Sequence, residues 1–294
     1  MTTKNSNTPI YLLLVLQQLI ASGTHIVASS LTQEVEPKVA LFFRSIIVCI
    51  AFTIFFLLQK KQIKRIEKSD YFTLVIMGLL NIPLNQYLFL SALEKTSPPN
   101  VALAYSLLPA FVLIIAAMFL GEKLRLVKTI GIILAIGGTI ILIAQKGFDF
   151  SSTSFQGDLL ALTASLSWAI YTIVGKRFSQ KYGGIYATGL AMFMGTILYQ
   201  PIFFAQSPEI NFELISTKNW LQLLYIGAIT SGLGYAIWYY ALTKIEAGRV
   251  AVFNNVQPVF VTILALIFLD QQLSTDFFIG GSLIIGGIYL TQRY

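Results

Sequence analysis

Residues 92–138 read ALEKTSPPNVALAYSLLPAFVLIIAAMFLGEKLRLVKTIGIILAIGG, and residues 241–287 read ALTKIEAGRVAVFNNVQPVFVTILALIFLDQQLSTDFFIGGSLIIGG. Laid over each other without a gap, they share roughly 19 identities in about 47 positions, far more than two unrelated apolar segments would show. The matched pairs include Ala92/Ala241, Lys95/Lys244, Val101/Val250, Pro109/Pro258, Phe119/Phe268, Gly131/Gly280, Gly137/Gly286 and Gly138/Gly287, all at one constant shift. The chain is therefore an internal duplication, and the orientation of the two copies becomes the central question.

Composition sets the class. Of 294 residues, 56% are hydrophobic and only 11% charged, with a mean hydropathy of +0.74. A soluble chain of this length cannot cover its surface with so few charges, which excludes a pair of soluble domains. The formal net charge of +7 does not read as a nucleic-acid surface, because the basic residues lie in short loops between apolar runs. Cys49 is the only cysteine, so no disulfide forms within the chain. His25 is the only histidine, which argues against a His/Cys metal site, and no cofactor is expected.

Ten apolar segments follow a polar start at residues 1–8. Their expected limits are 10–30, 39–58, 71–93, 100–120, 127–145, 157–178, 185–205, 219–242, 247–269 and 277–293. Most reach the roughly 20 residues needed to cross a hydrocarbon core about 30 Å thick. The first is interrupted by Gln17 and Gln18 and preceded by a single basic residue, Lys4, so it is expected to stay as a helix rather than be cleaved as a signal peptide. Five spans fall in residues 1–146 and five in 157–294, divided by a polar, serine-rich junction.

Loop charge orients the spans. Lys60, Lys61, Lys64, Arg65 and Lys68 follow span two, Lys123, Arg125 and Lys128 follow span four, and Lys176, Arg177 and Lys181 follow span six. Lys244 and Arg249 follow span eight, and Arg293 ends span ten. The alternate loops carry Glu34, Glu36, Glu94, Asp149, Glu209, Glu213, Asp270 and Asp276. About fifteen Lys and Arg fall on one side and about four on the other, which places both termini in the cytoplasm. An odd number of spans per copy then forces the second copy to enter the membrane upside down. Inverted repeats of this kind are characteristic of secondary transporters, with the substrate site near the midplane where the copies meet. The expected fold is an all-α polytopic membrane protein, about ten transmembrane helices arranged as two inverted five-helix repeats.

These residues carry a resemblance to a known family. The ten-span duplication is joined by Phe43-Arg44, by the run from Ala92-Leu93 through Pro109 to Gly121-Glu122-Lys123-Leu124, by Trp168-Ala169-Ile170-Tyr171 with Gly175-Lys176, and by Ala241-Leu242 through Pro258. Over essentially its whole length the chain resembles the EamA-type carriers of the drug/metabolite transporter superfamily. The second copy departs from the family's Gly-Glu pair, with Asp270-Gln271 in its place. The resemblance implies movement of small metabolites, often amino acids, by alternating access, with export the expected direction and the bacterial inner membrane the expected location.

Candidate site residues come from polar and aromatic groups at mid-span, where burial in hydrocarbon is costly and side chains turn inward. Gln18, Ser22 and His25 share one face of span one, and His25 is either a proton-linked group or an interhelical hydrogen-bonding group. Arg44 is the one cation well inside a span. It holds a substrate carboxylate, or it pairs with Glu34, Glu36 or Glu94 as an outer lock. Span three supplies Asn81, Asn85 and Tyr87 around Pro83, which frees a backbone carbonyl. Tyr105 lies one turn before Pro109, and its repeat mate Asn254, with Asn255 beside it, lies one turn before Pro258. Trp168 and Tyr171 in span six and Tyr235 and Trp238 in span eight form either an interfacial belt or an aromatic pocket wall. The glycine faces of spans five and ten serve helix packing or a homodimer contact, so the chain is expected as a monomer or homodimer.

No acidic residue lies at mid-span, and no glycine-rich phosphate loop or catalytic set occurs, which argues against a membrane enzyme. The same lack of a buried carboxylate leaves a passive uniporter, exchanger or channel-like pore as the alternative to proton-coupled transport.

Overall fold

The structure, a computed structural model, describes residues 8–58, 65–120, 126–144, 152–205, 212, 215–269 and 274–293. Residues 121–124, 270–271 and most of the junction between the copies, together with many of the loop charges used for orientation, lie outside the described residues.

The described residues form ten helices in chain order: α1 (Thr8–Thr32), α2 (Pro37–Leu58), α3 (Lys68–Lys95), α4 (Pro98–Ser106, continued by Leu108–Leu120) and α5 (Leu126–Ala144). The second copy supplies α6 (Thr153–Tyr182), α7 (Gly184–Ala205), α8 (Thr217–Leu242), α9 (Ala247–Phe268) and α10 (Thr275–Arg293). Eight are long and apolar enough to cross a membrane, while α5 and α10 carry shorter apolar stretches, Thr129–Gly138 and Thr275–Gly287. There is no strand among the described residues. Helix starts are set locally. Ser97 caps α4 ahead of Pro98 and Pro99, whose missing N–H groups cost nothing in a first turn. Ser216 and Asn219 cap α8 reciprocally. The α6–α7 corner turns on Gly183, whose φ of 94° suits a residue without a side chain.

Large apolar side chains cover the outside of the bundle, and a set of polar side chains is buried within its apolar core. Leu57, Leu58 and Phe72 are each about three-quarters exposed. Gln18, Arg44, Asn81, Asn85, Gln86 and Ser231 are buried. An apolar exterior on helices of this length, with mid-span polar groups turned inward, marks a multi-pass integral membrane protein.

Inversion of the copies is visible in glycine contacts. Gly138 on α5 packs against the Gly280 backbone on α10, and Gly287 on α10 packs against the Gly131 backbone on α5. Sequence numbers fall on one helix as they rise on the other, so α5 and α10 cross antiparallel. The constant shift relates Gly131 to Gly280 and Gly138 to Gly287, so each contact is the image of the other. A two-fold axis that exchanges antiparallel helices turns one repeat upside down relative to its twin. The same operation relates Gly78, which meets Met194 and Gly195 on α7, to Gly227, which meets Ile47 and Arg44 on α2. These faces are taken up within one chain, which removes Gly131, Gly138, Gly280 and Gly287 from any homodimer contact.

Two related polar clamps tie the copies at opposite ends. On one, Glu34 of the α1–α2 corner accepts from Lys218 Nζ at 2.8 Å and Asn219 Nδ2 at 2.9 Å at the start of α8. On the other, Asp70 at the start of α3 accepts from Lys181 Nζ at 2.7 Å and Tyr182 OH at 2.6 Å at the end of α6.

Leucine at position 138 or 287 must push into the facing backbone, so Gly138→Leu and Gly287→Leu should each destabilise by about 1–3 kcal/mol. Gly137→Ala and Gly286→Ala meet nothing within 4 Å and should be neutral. Thermal unfolding in detergent checks this contrast, and equal effects at both pairs would overturn the contact. Lys218, then Asn219, hold Glu34 below the ordinary carboxylate pKa of 4.5. Its contribution is complete above that pH and is lost as pH falls through the lowered value. Melting curves of the wild type and Glu34→Gln should therefore differ at pH 7 and converge as pH falls through the lowered pKa of Glu34.

Candidate functional site

The irregular parts of four helices meet at the centre. Leu80–Gln86 of α3 and Tyr225–Gly234 of α8 are wound as π-helix, with Pro83 inside the first. The shift that superposes the copies carries one irregular stretch onto the other. In α4 the winding breaks at Leu107, and in α9 at Phe253–Val256, just ahead of Pro109 and Pro258 respectively. Each proline lies in the first turn of the following helical segment, where no N–H is required. Insertions of this kind re-aim side chains and are frequent at functional sites.

A cavity of about 60 Å³ lies between these segments, room for a few waters. Its lining comes from both copies: Gln17, Ala21, Thr24 and His25 on α1, Arg44 on α2, Asn85, Gln86 and Phe89 on α3, and Tyr105 on α4. Trp168 on α6, Thr230 and Tyr235 on α8, and Asn254 and Gln257 on α9 complete it. No Asp or Glu is among these residues.

Asn85 is the hub of the wall. Its amide donates to Tyr105 OH at 2.7 Å and to the Ala164 carbonyl at 2.8 Å, and its oxygen accepts from Tyr235 OH at 3.3 Å. Gln18 stands behind the cavity, donating to Asn254 Oδ1 at 3.0 Å and accepting from Gln257 Nε2 at 2.8 Å. Trp168 packs on Tyr235 and Trp238, with ring centroids 4.7 and 5.6 Å apart. These aromatic rings form an interior wall and not an interfacial belt.

Arg44 is 2% exposed, and its Nε donates to Ser231 Oγ at 2.8 Å. Its Nη1 has no partner. None of the three glutamates proposed as lock partners reaches it: Glu34 is engaged by Lys218, Glu36 pairs with Lys38 at 2.8 Å, and Glu94 is exposed. A buried guanidinium without a carboxylate is an expensive arrangement, and an anionic ligand would relieve it.

Of the residues singled out from sequence, His25, Arg44, Asn85, Tyr105, Trp168, Tyr235 and Asn254 line the cavity. Asn81 and Tyr171 lie one layer out, with Asn81 Nδ2 donating to Tyr171 OH at 3.2 Å. Trp238 donates to Thr172 at 3.3 Å behind Trp168. Tyr87 points away, towards Tyr199, and Asn255 is not on the wall. On α1 the lining face is Gln17, Ala21, Thr24 and His25 in place of Gln18, Ser22 and His25, a rotation that apolar periodicity could not resolve on a helix with polar residues all round. Thr24 and Thr230, bonded to each other at 2.7 Å across the copies, carried no sequence signal.

The model of the EamA-like transporter family matches residues 8–144 and again 155–293, one match for each set of five helices. The chain belongs to this family. Among its relatives, an uncharacterized transporter of Archaeoglobus fulgidus is 28% identical over 97% of this chain and 98% of its own length. A second from the same organism is 31% identical over 78% of this chain and 80% of its own. The uncharacterized transporter YetK of Bacillus subtilis is 22% identical over 96% and 86% respectively. A crystal structure sharing 20% identity superposes with a TM-score of 0.71 over 97% of this chain and 96% of that one, which speaks to the fold. In this EamA-like chain, then, an enclosed polar wall lies where the two family repeats face each other.

Removing Asn85 takes the amide donor from Tyr105 OH and the second donor from the Ala164 carbonyl in the buried wall. Asn85→Ala should therefore cost about 1–3 kcal/mol of stability as well as cavity shape. Thermal unfolding in detergent measures it, and an unchanged midpoint would mean water replaces the side chain fully.

Proposed function

We propose that the chain is a secondary carrier that moves small metabolites, amino acids foremost, out of the cell across the plasma membrane by alternating access. The observation that carries the reading is Arg44: a buried, partly unpartnered cation facing a cavity that no carboxylate lines. A substrate carboxylate is the group this cation fits, through charge-assisted hydrogen bonds. The cavity lies where two inverted repeats meet, the arrangement that lets a carrier rock between two states of similar energy. Loop charge supports cytoplasmic termini.

Coupling follows from the same lining. With neither Asp nor Glu on the wall, exchange or uniport is favoured over proton antiport. A channel-like pore is the second reading. It would give conductance rather than saturable exchange.

Purified protein in liposomes, preloaded with unlabelled amino acid and challenged with labelled amino acids, should show saturable counterflow. Arg44→Gln should lower the rate at least tenfold, as expected for loss of one charge-assisted contact worth about 1.5–3 kcal/mol. Counterflow indifferent to Arg44, or unsaturable flux with single-channel currents, would overturn the reading.

A further inference from the structure

His25 is 3% exposed, lines the cavity, and leaves Nε2 without a hydrogen-bond partner. Its other ring nitrogen lies 2.9 Å from the Ala21 carbonyl, one turn earlier on α1. A carbonyl only accepts, so Nδ1 must carry the proton of the neutral ring, and Nε2 is left as a bare acceptor. A charged ring would place a second unpaired cation beside Arg44 in a cavity without carboxylates, which burial disfavours. The ring is packed edge-on against Phe89 and Tyr105, with centroids 5.0 and 6.0 Å away, so its direction is set by the wall.

Gln257 repeats the pattern. Its Nε2 is spent on Gln18 at 2.8 Å, and its Oε1, buried in the same wall, has no partner. The cavity thus holds one unused cationic donor, on α2, and two unused neutral acceptors, on α1 and α9.

We propose that His25 Nε2 and Gln257 Oε1 are the specificity-determining acceptors for an N–H-bearing end of the cargo, while Arg44 takes its anionic end. His25 then recognises substrate and does not carry a coupled proton. This rests on the reading that the cavity takes an amino acid. It goes further by stating which atoms separate an α-amino acid from the same acid without its amine. A site built to accept from a substrate N–H rejects the analogue that lacks it, because its own acceptors are then stranded. A site that used Arg44 alone would do the opposite and favour the plain carboxylate, whose charge cancels that of the arginine.

The test is competition against counterflow in liposomes. The labelled substrate is the amino acid that exchanges fastest, and the competitors are that amino acid and its des-amino analogue. Wild type should prefer the amino acid at least tenfold. His25→Phe keeps the ring and its packing but not the acceptor, and should bring the ratio within about threefold through loss of one to two hydrogen-bond equivalents. His25→Gln, which restores an acceptor, should recover most of the preference, and Gln257→Leu should lower it separately. In His25→Phe and Gln257→Leu the des-amino acid should bind more tightly than to wild type, because one acceptor fewer is stranded, while the amino acid binds more weakly. An unchanged ratio in both His25→Phe and Gln257→Leu, or a wild type that prefers the des-amino acid, overturns this inference while leaving the carrier reading intact. A wild type that exchanges no amino acid overturns the carrier reading and this inference with it.

Discussion

An amide or carbonyl without a hydrogen-bond partner costs several kcal/mol in hydrocarbon, and that constraint governs where these helices are allowed to be irregular. Apart from the 3-10 turn Lys68–Asp70 that opens α3, the described helices depart from α winding in the middle of the bundle, and there loosened carbonyls are met by side chains. Ser167 Oγ donates to the Leu80 carbonyl at 2.8 Å, Ser231 Oγ to the Ile226 carbonyl at 3.1 Å and Thr230 Oγ1 to the Tyr225 carbonyl at 3.4 Å. Thr230 itself lines the cavity, Ser231 holds the lining Arg44, and Ser167 neighbours the lining Trp168. Local geometry and site chemistry are thus one solution to the same desolvation problem.

The two copies divide their labour. Positions that match across the duplication, such as Gly138/Gly287 and Pro109/Pro258, make contacts that the pseudo-two-fold axis repeats. Among the positions that differ are several that line the cavity. Tyr105 is answered by Asn254, and the position related to Arg44 by the same shift is Phe193. A strictly symmetric wall would bury two guanidinium groups a few ångströms from the axis and multiply the desolvation cost. Divergence leaves one charge and a lopsided wall, which is what reading an asymmetric small molecule requires.

The helices, their limits to within a few residues and the inversion of the copies were legible from apolar run length, loop charge and the constant shift. Those are one-dimensional signals that a bilayer enforces strongly. Asn85, Tyr105 and Asn254 were legible because prolines flank them and polar residues at mid-span are rare. Tyr87 and Asn255 were misplaced because one follows and the other lies in an irregular stretch, whereas α1 is regular and its face was blurred by polar residues all round. A π insertion or a broken turn rotates every later side chain by up to about 100°, and helical spacing assumes that no such step occurs. The glycine doublets could not say whether their partner was the other repeat or a second chain. Only the antiparallel register of Gly131 with Gly287 and Gly138 with Gly280 settles that they close within one molecule.

The clamps at the two ends are related in position but not in composition. One rests on a single carboxylate, Glu34, shared by Lys218 and Asn219, and the other gathers Lys181, Tyr182, Glu67 and Asp70. Opening one end therefore breaks a different set of ionic contacts from opening the other. Under the uncoupled exchange proposed for this chain, microscopic reversibility fixes what such a difference can do. It sets which way the empty protein rests and how fast each face exchanges, and it leaves the final concentration ratio untouched. Any rectification in this molecule would be a matter of rates, with the direction of net flow left to the gradient.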